Sequence, residues 1–191
     1  NNALVGNGVS MVTLYYLRRF INFFEATVEK SSDTHYKVST EVSIFFSKVL
    51  RTLENHVYVL SDKVSDEERK TILDSLGTAG SEYRTKIYEK DTLTKERIMV
   101  FFELLTKYLD HTISANKRED NLYHAYNLMT VKKDTEITIS HLSEMLEGQV
   151  AVLSSGYLKP KEALSLLDAL KASSLFREDQ YSYILYPNKE L

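Results

Sequence analysis

The chain has 191 residues, 24 basic and 27 acidic side chains, a formal net charge of −3 and no cysteine. The missing cysteines exclude disulfide frameworks, thiolate nucleophiles, thiolate zinc sites and iron–sulfur clusters, and the slight negative charge offers no general attraction to nucleic-acid backbones. Six glycines and two prolines are few chain breakers, which argues for long helices rather than a β-sandwich or barrel.

Leu14, Leu17, Ile21, Phe24 and Val28 recur at helical spacing, so a helix is predicted over about 11–29 with Ser10 as its N-cap. Lys30 to Tyr36 reads as a polar connection. A second helix is predicted from Thr40 to His56, or to Leu60, with Val42, Phe46, Val49, Leu50, Leu53 and Val57 on one face. Ser65-Asp66-Glu67-Glu68 has the form of a capping box. The helix it opens contains Ile72, Leu73 and Leu76, and Gly77 is its expected stop. Tyr83, Ile87 and Tyr88 mark a weaker helix within Thr78 to Lys90. From Thr94 to Ala115 the stripe Ile98, Phe101, Leu105 and Tyr108 returns.

Between Asn116 and Ile139 the texture changes, and β-branched residues on both sides of a polar turn suggest a hairpin near 128–139. Leu142, Met145, Leu146, Val150 and Leu153 predict a helix from Ser140 to the Ser154-Ser155-Gly156 stop. Pro160, acceptable at a first helical position, opens another through Ala163, Leu166, Leu167 and Leu170. The tyrosine-rich tail from Ser173 reads as irregular, with Tyr183 to Tyr186 extended. The expected fold is mainly α: a bundle of about seven amphipathic helices with at most one small hairpin. It is expected as one domain, 1–191, with sub-lobes 1–115 and 116–191.

Chemistry is harder to read. The histidines His35, His56, His111, His124 and His141 show no ligand pair at helical spacing, so neither a metal site nor a cofactor is expected. The densest polar and aromatic stretch is Lys117 to Asn127. There Arg118, Tyr123, His124 and Asn127 are binding candidates, and Glu119 and Asp120 are candidate acids or bases if burial shifts one of them. Asp179, Gln180 and Tyr183 form a second stretch of similar texture. The plainer reading of the first is a solvated charge run that caps the preceding helix, followed by aromatics that anchor the loop to the core; that of the second is an ordinary polar connection leading out of the domain. Ser140 to Ala172 could form a helix-turn-helix, but its second helix lacks the Arg, Asn or Gln that base contacts need, so no nucleic-acid partner is expected. Phosphate-loop and dinucleotide motifs are absent. No run of 18 apolar residues suggests a membrane span, since Arg18 and Arg19 interrupt the best stretch, Met11 to Phe24. A soluble protein is expected, with a cytoplasmic setting marginally favoured.

Three segments together carry a resemblance: Ala115 to Asn127 (Ala-Asn-Lys-Arg-Glu-Asp-Asn-Leu-Tyr-His-Ala-Tyr-Asn), Met145 to Leu153 (Met-Leu-Glu-Gly-Gln-Val-Ala-Val-Leu), and Phe176 to Tyr183 (Phe-Arg-Glu-Asp-Gln-Tyr-Ser-Tyr). The pattern, from about Thr94 onward, resembles a region of very long bacterial proteins loosely named cellobiose-phosphorylase-like. The resemblance implies a helical piece of a multidomain protein acting on carbohydrate. No catalytic aspartate of true cellobiose phosphorylases aligns here, so no catalytic role carries over. The chain ends, Asn1 and Asn188 to Leu191, read as edges of a longer polypeptide. The leading expectation is a non-catalytic accessory or structural module that docks on other domains of the same polypeptide and is not an enzyme on its own. The alternatives are a contribution to a carbohydrate-processing active site, phosphorylase-like or glycosidase-like, and a stand-alone helical protein-interaction module.

Overall fold

The computed structural model describes residues 7–86, 90–132 and 134–187. The predicted positions Ile87 and Tyr88, and the chain ends Asn1 and Asn188 to Leu191, lie outside them. Six α-helices are described: α1 (Met11–Lys30), α2 (Thr40–Asn55), α3 (Asp66–Thr85), α4 (Lys95–Ala115), α5 (Leu146–Ser154) and α6 (Pro160–Ala172). A 3-10 turn, Val57–Ser61, comes after α2. The strands are β1 (Gly8–Ser10), β2 (His35–Ser39), β3 (Lys90–Thr94), β4 (Tyr126–Lys132), β5 (Glu136–His141), β6 (Phe176–Arg177) and β7 (Ser182–Tyr183). They make three small sheets, ordered β1-β4-β5, β2-β3 and β6-β7.

The fold is therefore mixed α/β, with 59% of the described residues helical, which corrects the expected near-pure bundle of about seven helices with at most one hairpin. The physical reason lies in the strands themselves. β2 and β3 carry only three apolar side chains between them, Tyr36, Val38 and Leu93, and pair antiparallel, His35 opposite Thr94 through Ser39 opposite Lys90, by backbone bonds that need no long apolar period. β1 is three residues long, with Gly8 opposite Leu128 and Ser10 opposite Tyr126. Two further boundaries move. α3 runs through Gly77 and Gly80, neither of which takes the left-handed backbone of a C-terminal cap, so neither glycine ends the helix. The helix expected from Ser140 starts only at Leu146 because β5 continues to His141.

Local signals held where a side chain supplies the missing backbone partner. Ser65 and Glu68 form the capping box of α3. The Ser10 hydroxyl accepts from the Thr13 amide at 3.1 Å, and Pro160 occupies the first turn of α6. No helix among the described residues is long and apolar enough to cross a membrane.

Two compact units are formed. The first comprises residues up to Phe20, Leu109–Thr130 and the chain from Ile139 onward. Its core gathers Met11, Tyr15, Ile113, Tyr123, Ala151, Val152 and Leu166. A smaller cluster joins Leu122, Leu170 and Leu175. Arg18 is buried in this unit, where it is paired with Asp110, donates to the Ser155 carbonyl at 2.9 Å and lies over the Tyr157 ring. The second unit comprises Ile21–Tyr108 and Val131–Thr138. Leu50, Leu53 and Leu104 form its core with Phe46 and Phe101 against them.

Candidate functional site

All the sequence-predicted site residues lie in the first unit. The stretch after α4 is a tight turn that returns on itself. Lys117 bridges Tyr123, the Arg118 amide donates to the Leu122 carbonyl at 2.8 Å, and Asn121 takes a left-handed backbone with φ of 64°. Asparagine tolerates that region better than most residues. The Arg118 guanidinium grips Asp120 through both of its oxygens and also meets Glu144 at 3.3 Å.

The turn is seated by α5. Gln149 is fully buried; its Oε1 accepts from the Tyr123 amide at 2.9 Å, and its Nε2 donates to the carbonyls of Tyr123 and Met145. One side chain thus satisfies both backbone groups of Tyr123, in the manner of a neighbouring strand. Gly148 permits the close approach, because a Cβ there would stand 2.9 Å from that of Ala125. Residues 115–127 and 145–153 are therefore two halves of one packed clamp.

Behind the clamp runs a chain of amides. Asn116 Nδ2 donates to the Thr112 carbonyl at 2.9 Å, Asn127 Nδ2 donates to Asn116 Oδ1 at 2.7 Å, and Asn127 Oδ1 lies 2.8 Å from His141 Nδ1. Each amide orientation is set by the one before it, so the final oxygen must accept and His141 presents Nδ1–H. The His141 ring stacks on His124 with centroids 4.0 Å apart and planes 7° from parallel. The Tyr15 hydroxyl donates to the His124 carbonyl at 2.7 Å. Burial, together with the neighbouring His141 and Arg118, lowers the His124 imidazole from 6.5 to about 4. Burial and Arg118 also lower His141.

The structure sorts the candidates by chemistry. Tyr123 belongs to the core, and burial raises its hydroxyl to about 12. Asn127 is buried in the amide chain. Hydrogen bonding to Arg118 lowers Asp120, which keeps it ionised, the opposite of what a general acid requires. Glu119 is exposed. In the second stretch Arg177 grips Asp179 with Nε and Nη2, and Gln180 sits in the exposed turn, its amide donating to the Arg177 carbonyl. Tyr183, pairing opposite Phe176, leans on that ring at 5.2 Å.

The two stretches are linked through Glu144, which meets Arg118 with one oxygen and accepts from Ser174 at 2.8 Å with the other. Neither lines the cavity of about 450 Å³ in the second unit, which is bounded by Ser47, Leu50, Arg51, Glu54, Glu96, Arg97 and Val100. Among the described residues no group of three or more histidine, aspartate or glutamate side chains could hold a metal ion. Sequence reasoning missed Asn116, His141, Glu144 and Gln149. Only Gln149 carried a signal, as an amide inside an otherwise apolar stretch. Comparison with protein-family models and with curated proteins finds no match to this chain.

Proposed function

We propose that this chain is a non-catalytic docking module, and that the tyrosine-bearing tail of its first unit is the surface that docks. The observation that carries this reading is Tyr181. It stands at the apex of the β6–β7 turn with 77% of its surface exposed and with φ of 48°. A residue with a bulky side chain in the left-handed region costs on the order of 1 kcal/mol, which glycine would avoid. A strained backbone that presents a large exposed ring is a feature associated with recognition sites.

Its neighbours strengthen the reading. Tyr183, Leu185 and Tyr186 are also exposed, while the backbone beneath them is tied down. The Ile184 amide donates to the Leu175 carbonyl at 2.9 Å, and the Leu146 amide donates to the Leu185 carbonyl at 3.0 Å. Aromatic groups on a fixed backbone lose little freedom on binding, and tyrosine offers both apolar area and a polar tip. The partner is an apolar surface on another domain of the same polypeptide.

Tyrosine nitration tests this. In a polypeptide that also carries the partner domain, Tyr181, Tyr183 and Tyr186 should be labelled several-fold more slowly than in this 191-residue chain alone. Equal labelling in the two would overturn the proposal.

A further inference from the structure

We propose that the stacked His124–His141 pair is a proton-operated latch, which holds the end of β5 to the turn after α4 when both rings are neutral and releases it in acid. The geometry is specific to the neutral pair. Two imidazoles lie nearly parallel at 4.0 Å, a separation at which a charge on each would repel strongly. The Thr112–Asn116–Asn127 amide chain fixes His141 with Nδ1–H. Among the described residues the buried Nδ1 of His124 has no hydrogen-bond partner, so a proton placed there finds no acceptor among them.

The charges around the pair come from three elements. The turn after α4 supplies Arg118, whose positive charge opposes protonation of both rings, and Asp120, which favours it at His124 but is itself occupied by Arg118. The connection after β5 supplies Glu144, also engaged by Arg118, and a backbone bond at Leu142 that favours the charged form of His124 without overcoming its burial. α1 supplies Tyr15, whose hydroxyl bonds the His124 carbonyl and whose burial keeps it protonated. Cation repulsion and burial thus act together against a charged imidazole.

Linkage sets the direction. In the closed state the pair binds protons more weakly than free histidines do, so acid favours the open state. The latch is fully closed above the ordinary histidine value of 6.5 and weakens as pH falls from there toward about 4. Asp120 is lowered, so its ion pair is lost only at still lower pH and does not share the window.

Two measurements on the whole chain test the latch. In nuclear magnetic resonance titrations both imidazoles should protonate below the ordinary histidine range. Amide exchange across 116–127, corrected for its intrinsic pH dependence, should rise on the order of tenfold between about pH 7 and about pH 5. His124→Phe keeps a flat ring that accepts no proton, so it should remove most of that rise whatever its overall stability. Imidazoles that titrate at the ordinary value overturn the latch. A rise that His124→Phe leaves unchanged does so as well, and if that variant does not fold the titration decides.

Discussion

The first unit builds the same Arg-Glu-Asp clasp twice, in turns that differ in length by one residue, and uses it in opposite ways. Arg118-Glu119-Asp120 and Arg177-Glu178-Asp179 share a sequence, and in both the guanidinium folds back on the carboxylate two residues later. Each turn then places one residue in the left-handed region, Asn121 in the first and Tyr181 in the second. The residues just beyond that point set the two apart. After Asn121 come Leu122 and Tyr123, which are buried and locked from above by Gln149. After Tyr181 the side chains of Tyr183, Leu185 and Tyr186 are exposed, while the backbone beneath them is held. A local turn motif therefore fixes a backbone bend, and the neighbouring helix decides whether the bend becomes core or surface.

If that distinction is right, the largest effect belongs to the clamp. Gln149→Leu keeps the volume but strips the Tyr123 amide and carbonyl of their partners. Each buried unpaired group costs about 1–3 kcal/mol, so a loss of about 3 kcal/mol in urea unfolding is expected. Gly148→Ala comes next. Its new Cβ would stand 2.9 Å from Ala125 Cβ and 3.0 Å from Ala125 Cα, and backbone cannot yield cheaply, so about 2 kcal/mol should be lost. If either variant unfolds with wild-type stability, the first turn is not seated by α5.

The third effect has the opposite sign and separates the two turns directly. Tyr181→Gly relieves a left-handed backbone that disfavours a bulky side chain, at the expense of its contacts with Phe176 and Lys171. Asn121→Gly makes the same change where the native residue already tolerates the conformation. Thermal unfolding should show Tyr181→Gly at least as stable as wild type, by up to about 1 kcal/mol. Asn121→Gly should be nearly neutral. A clear loss at Tyr181 would mean that the ring supports the fold rather than a partner.

The sequence made some of this architecture legible and hid the rest for definite reasons. Cap chemistry is local, so Ser65 with Glu68 and Pro160 could be read directly. The stripe predicted for α1 is right at Ile21 and Val28 and wrong at Leu17 and Phe24. The structure buries Met11, Tyr15, Arg18, Ile21 and Val28, while Leu17, Phe20, Phe23 and Phe24 remain exposed. Choosing a face by apolarity alone fails when a buried arginine has Asp110 and a carbonyl waiting for it. β1, β2, β3 and β6 escaped because two to five residues, with at most two apolar side chains in each strand, are too few to establish a period. At the candidate site, Arg118 and His124 could be singled out by type, but their partners Glu144 and His141 lie on separate elements. No spacing rule could supply that juxtaposition.

The smallest expected effect is the one that compares the two ion pairs themselves. Asp120→Asn and Asp179→Asn each remove one carboxylate charge from the same local motif, but their surroundings differ. Arg118 is shared between Asp120 and Glu144, and the Asp120 carboxylate also accepts from the Leu122 amide at 3.1 Å. Among the described residues, Asp179 has Arg177 as its side-chain partner. Both carboxylates are lowered, first of all by the arginine hydrogen bond, so each contributes stability above its ordinary value that is lost as pH falls below it. Asp120 is partly open to water, so screening cuts its share to about 0.5 kcal/mol at neutral pH. Asp179 stands in open solvent with 59% of its side chain exposed, where screening leaves its pair a smaller share, so Asp179→Asn should lower the unfolding temperature less than Asp120→Asn does. As pH falls through the lowered range of the Asp120 carboxyl, the gap between Asp120→Asn and wild type should close. Equal losses from the two substitutions would show that the turn motif, rather than the helix packed on it, sets the strength of the pair.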